Sequence, residues 1–446
     1  CRTCSAMSGL RALVLATWSL TRLAWSMHET RTMSGFYGGS ALQRRALRRD
    51  ASAEQPRKGI VDRISAALYY RELRRVIKEA ANAKDVCSTN VVGRGYAGKV
   101  FVVEIPADPQ SSCSNASKTF KIAIKRSKVR MKTEREDARN EREVLRKLHG
   151  EGGDYIGYFG SKRTMSAQFL FLQAADRSLR DFLMDNSVPQ RAELASLQPG
   201  ASVVTMIPCN EGYMGVVKKI DHEKGTATVV VNPEGGANSL PASCLGTLRH
   251  FEVRVGLVIQ LLRSLAGLEA RGMQHHDIKP ENCLITGSCQ DVSDCHLMLA
   301  DFGFTCTSTV KGLRSCGMQG TPDFASPEFA KAVRAGEHEA FFPRGDVWAA
   351  GVTAFELLVG RFPMPDFERR DELWAELATR ADPTADLLPG EVVAWRPLLQ
   401  GMLQRSPRRR LSAVQALGLA IEIARRENIP EPPEHQAPQL PRDLFS

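Results

Sequence analysis

The segment His275-His276-Asp277-Ile278-Lys279-Pro280-Glu281-Asn282 brings three kinds of chemistry into eight consecutive residues. Asp277 is a carboxylate that can accept a hydroxyl proton. Lys279 is a cation that can stand beside a migrating phosphate, and Asn282 offers an amide oxygen to a hard metal ion. Asp301 lies 24 residues beyond Asp277, after the apolar run 297–300, and supplies a second oxygen ligand suited to Mg²⁺. A base, a cation and two oxygen ligands are what moving a phosphoryl group onto a hydroxyl requires.

Two features upstream fit the same chemistry. Gly93, Gly95 and Gly98 form a GxGxxGxV loop, in which backbone N–H groups can approach phosphates without interference from Cβ atoms. GxGxxG also marks dinucleotide sites that open a helix, but strand-like residues flank this loop on both sides, which favours a hairpin. Lys125 follows Gly93 by 32 residues in the β-branched stretch Ile122–Lys125, where a strand could aim its ammonium group at phosphates. A carboxylate must orient it. Glu141, which shares a helix face with Leu145, is the candidate, and Glu143, two positions on, is the rival. Either one could instead be a solvated surface charge.

Taken in order, these motifs resemble the eukaryotic-type Ser/Thr protein kinase family. The resemblance runs from about residue 91 to residue 410, interrupted by an insertion, and further motifs extend it. Gly320-Thr321-Pro322-Asp323-Phe324 and Ser326-Pro327-Glu328 resemble the end of an activation loop, with Ser326 in place of the usual Ala. Asp346-Val347-Trp348-Ala349-Ala350-Gly351 resembles the buried helix that anchors the catalytic loop, and Arg410 stands where the family pairs an Arg with the residue here numbered Glu328.

The resemblance implies ATP and Mg²⁺ as cofactors and a protein with Ser or Thr acceptors as substrate. It implies that Val100, Ala123 and Leu284 sandwich the adenine, that Leu172 is the gatekeeper, and that Gln173–Ala175 form the hinge. It places Lys279 with Thr321 in the Ser/Thr-specific arrangement. The chief departure is His276, where most relatives carry an Arg that holds an activation-loop phosphate. A histidine is shorter and lacks the bidentate fork, so it is expected to be a poor phosphate receptor. The competing reading is a pseudokinase, a scaffold that binds nucleotide or partners, but no catalytic residue is missing from this chain.

These motifs need elements to hold them. Alternating runs at 90–105 and 119–125 predict a hairpin, and 133–148 predicts a charged helix. Residues 169–172 predict a short strand; helices are predicted at 179–184, 251–271, 347–359, 392–404 and 413–426. The fold class expected is α+β, a two-lobed protein-kinase-like arrangement with a small β-rich lobe at 87–177 and a large helical lobe at 178–426. The β-rich insertion occupies 187–249, with strand candidates at 203–207, 215–220 and 226–231. Its strand spacing resembles a small SH3-like barrel, which implies a peptide or a nucleic acid as ligand. Residues 57–86 are expected to form a flanking helix, and the Pro-rich tail, 427–446, to be extended.

Composition sets looser bounds. The 446 residues are 43% hydrophobic and 25% charged, which excludes a globally disordered chain. The net charge of +10 owes much to residues 1–50, which hold eight Arg, no Lys and only two acids. That bias suits an organelle transit peptide, and the apolar stretch 12–21 suits a secretory signal, although no clear cleavage site follows. The stretch is too short to span a membrane. The default is an intracellular, cytoplasmic protein with reduced thiols. Cys283, Cys289 and Cys295 are evenly spaced, but not as zinc ligands usually are.

Overall fold

The computed structural model describes residues 75–77 and, with breaks chiefly within 107–118, 187–213, 308–318, 338–343 and 364–391, residues 86–434. The N-terminal extension, the flanking helix apart from 75–77, Gly95 and the end of the tail lie outside the described residues. The chain divides into two compact units. One holds residues up to 120 together with 125–127, and the other holds 121–124 and 128–442.

In the first unit, strands β1 (Ser88–Arg94) and β2 (Gly98–Pro106) form the expected antiparallel hairpin, with an irregularity between Val91 and Gly93. Phe101, Val103 and Ile105 alternate into the core. Gly98 is required by a close approach, because a Cβ there would lie 1.8 Å from the Arg126 carbonyl oxygen. Cys87 and Cys113 are joined by a disulfide. Strand β3 (Thr119–Lys128) contributes residues to both units.

The second unit begins with helix α1 (Lys132–Leu148). Its carboxylate Glu134 accepts from the N–H groups of Arg130 and Met131 at 2.9 and 3.0 Å and fixes its start. Its buried face, Ala138, Glu141, Val144, Leu145 and Leu148, follows helical spacing. Strands β4 (Tyr158–Arg163) and β5 (Ala167–Gln173) pair antiparallel, and every residue of β5 is buried. Strand β6 (Arg177–Ser178) leads into helix α2 (Leu179–Asn186).

The insertion is β-structured, as its sequence predicts. Strands β7 (Gln190–Arg191), β8 (Ser202–Thr205), β9 (Met214–Asp221), β10 (Thr226–Val231), β11 (Ala237–Pro241) and β12 (Leu245–Thr247) form one antiparallel sheet. Its order is β11-β10-β9-β8-β12-β7. Leu197, Val203, Val217, Ala227, Val229 and Leu245 make a core of its own. The three strand candidates correspond to β8, β9 and β10, and β7, β11 and β12 are additional.

Helix α3 (Phe251–Ala270) is apolar on nearly all sides and runs through the core of the unit. After it come β13 (Met273–Gln274), β14 (Cys283–Thr286), β15 (His296–Leu299) and β16 (Cys306–Thr307). Strands β14 and β15 pair antiparallel, and the loop between them is closed by a Cys289–Cys295 disulfide. Helices α4 (Pro327–Ala335), α5 (Gly345–Val359), α6 (Arg396–Met402) and α7 (Ala413–Arg426) complete the unit. Helix α6 is shorter than expected, because Val392–Trp395 form turns. Reduced thiols were the expectation, yet Cys283 is the free cysteine among the described residues; Cys244 and Cys306 are also disulfide-bonded. Neither the sheet pairing nor the hairpin geometry that brings cysteines together is visible in their spacing.

Candidate active site

The loop from His275 to Asn282 leaves β13 and returns as β14, and α5 holds its start. The Asp346 carboxylate accepts from the N–H of His275 at 2.6 Å and from that of His276 at 2.9 Å. His276 sits at φ +67°, a left-handed conformation that costs a branched side chain energy, and the Asp346 bond restrains it there. A close approach from the other side also fits the loop. A Cβ on Gly320 would lie 2.6 Å from the His276 carbonyl oxygen, and Gly320 has φ +140°.

His275 is completely buried. The Asp277 N–H donates to its Nδ1 at 3.3 Å, so the ring proton resides on Nε2 and is donated to the Ala300 carbonyl, 3.1 Å away. Burial pushes the His275 imidazole below its ordinary range, against the opposing pull of the Asp346, Asp277 and Asp301 carboxylates. Its ring packs edge-on against Phe302, 5.1 Å between centroids. The residue therefore joins the loop to the turn that follows Asp301.

Asp277 is at the centre of a closed polar network. Its Oδ2 lies 2.8 Å from Lys279 Nζ and accepts from Asn282 Nδ2 at 2.8 Å. Its Oδ1 accepts from the Thr321 hydroxyl at 2.5 Å, and that hydroxyl in turn accepts from Lys279 Nζ at 2.7 Å. Asp277, Lys279, Asn282 and Thr321 thus come together, although Thr321 is 44 positions from Asp277. A carboxylate offers about four lone-pair sites, so Asp277 keeps acceptor capacity for a further hydroxyl. Lys279 has three donors, two of them used here.

Asn282 gives its amide N–H groups to the backbone oxygen and the carboxylate of Asp277, both at 2.8 Å. That turns its Oδ1 away as an acceptor. Asp301 follows β15 at φ +63° with its side chain exposed, while its neighbour Phe302 is fully buried. Two hard oxygens on adjoining segments suit Mg²⁺, so the donor set fits the expected metal. Among the described residues there is no cluster of three or more His, Cys, Asp or Glu side chains able to hold a metal ion by themselves.

Of the two candidate acids on α1, Glu141 is the buried one, 3% exposed. Glu143 is on the surface and paired with Arg142 at 2.7 Å and Arg146 at 3.5 Å; the Arg142 hydrogen bond holds its carboxyl below the usual range. Lys125 is half-buried on β3 and belongs to the first unit, as do Gly93 on β1 and Gly98 and Val100 on β2. Ala123 is buried on β3; Leu172 and Gln173 are buried on β5; Ala175 and Leu284 are half-buried. One residue near this site was not visible in the sequence, and a second, Ser326, was visible only as a departure from the family pattern. Asn140 donates to the Thr305 carbonyl at 2.7 Å, tying α1 to the segment after Asp301. Ser326 is the N-cap of α4, with its hydroxyl 3.4 Å from the Phe329 N–H.

Below Thr321, Arg410 and Glu328 form a two-pronged pair, Nη1–Oε1 2.7 Å and Nη2–Oε2 2.8 Å, with the guanidinium fully buried. A small cavity of about 40 Å³ opens beside Asp277, bordered by His276, Thr321, Phe324, Phe329 and Asp346.

Residues 245–419 match the protein kinase domain family. Over that segment the chain is similar to protein kinase domains. It is 32% identical over 162 residues to the human phosphorylase b kinase gamma catalytic chain, liver/testis isoform, covering 35% of this chain and 37% of that one. It is also 32% identical over 162 residues to the calcium/calmodulin-dependent protein kinase type II of Caenorhabditis elegans, covering 35% of this chain and 21% of the relative. The Drosophila melanogaster type II alpha chain is 31% identical over 162 residues, covering 35% and 28%. The chain thus spans little more than a third of the curated relatives it matches, or less. The kinase-domain match contains the Asp277 network, Asp301, Asp346, Glu328 and Arg410. The Gly93–Gly98 loop, Lys125 and Glu141 precede it.

Proposed function

We propose that this chain transfers the γ-phosphoryl group of ATP to serine or threonine hydroxyls of proteins. The observation that carries the reading is the Asp277–Lys279–Thr321–Asn282 network. Asp277 orients the acceptor hydroxyl and takes its proton. The hydroxyl oxygen bonds to the γ-phosphorus, the bond to the bridging oxygen breaks, and ADP leaves. Lys279 offers its remaining donor to the charge on the moving group. Mg²⁺, when bound, neutralises phosphate charge, and Asn282 Oδ1 with the Asp301 carboxylate are the groups that would hold it. Lys125, oriented by Glu141, is assigned to the phosphates. Gly93, Gly95 and Gly98 are assigned to the phosphate loop, and Val100, Ala123, Leu172, Gln173, Ala175 and Leu284 to the adenine.

Turnover of Mg·ATP with a degenerate Ser/Thr peptide library tests the proposal, with Asp277→Asn as the matched variant. The variant is expected to lose about 10²–10⁴-fold in kcat, the range for a lost general base, while nucleotide affinity persists. Nucleotide binding without turnover in the native sequence would make the chain a scaffold. Near-native turnover in Asp277→Asn would remove that residue from the mechanism.

For the insertion, a peptide ligand or a nucleic acid follows only from its likeness to small barrels, and Lys218 and Lys219 are exposed on β9. Its separate core supports a self-contained module. Replacing 188–247 with a short Gly/Ser linker should leave ATP turnover intact, and loss of turnover would make it part of the catalytic domain.

Among the described residues no helix is long and apolar enough to cross a membrane. We assign no compartment beyond the sequence expectation.

A further inference from the structure

The catalytic loop is gripped from α5 at both ends. At its start, Asp346 in the first turn of α5 binds the backbone of His275 and His276 directly. At its end, the 3₁₀ turn Pro280–Asn282 carries Glu281, whose carboxylate accepts from Arg180 Nε at 2.9 Å. The other side of the same guanidinium forks onto Glu356 in the last turns of α5, at 2.9 and 3.2 Å. Asp346 and Glu356 are ten residues apart, about 15 Å along a helix.

We infer that Arg180 is a positioning residue for Asn282, acting through Glu281 and anchored by Glu356. Asn282 immediately follows Glu281, so the direction of its Oδ1 depends on how the 3₁₀ turn is held. On its inner side the turn is held by Asp277, through the Asn282 amide. On its outer side Arg180 is the tie. Arg180 is half-buried on α2, where burial opposes its charge, but Glu356 and then Glu281 raise its pKa above the ordinary guanidinium range. A planar fork is what this site uses: one edge for Glu356 and a separate N–H for Glu281. Lysine, a point charge, cannot satisfy both carboxylates in that geometry.

The inference rests on the proposed function, because it needs Asn282 as a metal ligand. Its test reads nucleotide binding as well as activity. ADP affinity of the full chain is measured by calorimetry with and without Mg²⁺, and the Mg²⁺ dependence of peptide phosphorylation is measured in parallel. Glu281→Ala cuts the tie at the loop while keeping the Arg180–Glu356 pair, so the fold is preserved. Arg180→Met cuts both, and Arg180→Lys is the conservative variant.

The strengthening of ADP binding by Mg²⁺ is expected to fall about tenfold in Glu281→Ala and Arg180→Met, the low end of what losing an outer partner of a metal ligand costs. Metal-free ADP affinity should stay within about twofold, and Arg180→Lys should recover only part of the loss. A merely structural tie would lower the unfolding midpoint and leave the Mg²⁺ effect unchanged, and that result in Glu281→Ala overturns the inference by itself. ADP binding that Mg²⁺ does not strengthen in the native sequence would overturn the proposed metal role and this inference together.

Discussion

Arg410 offers the sharpest test of how the segment matching the protein kinase family is held together. Its guanidinium has no exposure to solvent and satisfies five acceptors: both oxygens of Glu328 and the carbonyls of Gln404 at 2.9 Å, Arg344 at 2.9 Å and Arg405 at 3.4 Å. It also stands 5.1 Å over the Trp348 ring. Arg410→Met would keep much of the volume but strand the Glu328 carboxylate, which is 16% exposed. Breaking a buried pair from one side costs about 3–5 kcal/mol, and the partial exposure of Glu328 argues for the lower end, ~3 kcal/mol. At roughly 2 °C per kcal/mol for a domain of this size, the unfolding midpoint should fall by about 6 °C. Arg410→Lys should lose most of the same stability, because an ammonium cannot fork onto two oxygens. The double variant Arg410→Met with Glu328→Leu should recover much of it, since the uncompensated charge is then gone. Denaturant unfolding of the native protein, Arg410→Met, Glu328→Leu and the double variant gives the coupling energy. A loss below ~1 kcal/mol in Arg410→Met, the range of an exposed pair, would refute the reasoning.

Three further outcomes are expected. His275 is neutral in the fold because burial lowers its pKa. Acid therefore protonates it in the unfolded chain first, and stability contributed above pH ~6.5 should fall by up to about 1.4 kcal/mol per pH unit below it. His275→Gln should lack that component, and equal acid slopes in the two proteins would contradict it. Replacing Cys289 and Cys295 together with Ser should cost roughly 2 kcal/mol of unfolding free energy from loop closure over the six-residue separation; unchanged stability with a crosslink proven by mass would refute this. His276 is already engaged, its Nε2 being 2.9 Å from Gln274 Oε1 while Gln274 donates to the Phe342 carbonyl at 2.8 Å. Phosphorylating the activation loop should therefore raise turnover by less than about 100-fold, ~2.7 kcal/mol of barrier, and a larger rise would sink the idea.

The loop 275–282 was legible because its residue types are local. Asp277, Lys279 and Asn282 fall within six positions, so residue type and spacing alone bring them together. Thr321 was not reachable that way and came only through family resemblance, since its contact with Asp277 depends on the chain returning after 44 residues. Helix α7 was read to the residue, and the structure shows that Ser412 and Gln415 form a capping box at its start. Strand β4 was missed: its outer residues Ser161, Lys162 and Arg163 give no apolar alternation. Helix α4 was missed because its nine residues are fewer than the window over which a helical period is read. Arg180 was one charge among many in the sequence. What distinguishes it is the presence of two carboxylates, 101 and 176 positions away, at the same guanidinium.

The same distinction separates the two left-handed residues of the site. Asp301 at φ +63° is of a type that tolerates this region, because a short polar side chain adapts to it. Histidine is also enriched there, but less so than glycine, and such a conformation persists only where neighbours over-determine it. His276 meets that condition three ways: its N–H is bound by Asp346, its ring by Gln274, and its carbonyl is so closely approached that only glycine fits at position 320. None of these contacts would need the guanidinium that the family resemblance leads one to expect at this position. Loop geometry at Asp277 therefore follows chiefly from the backbone grip of α5 and the close passage of Gly320, with the His276 ring adding its bond to Gln274, and a histidine at position 276 holds the loop without a guanidinium.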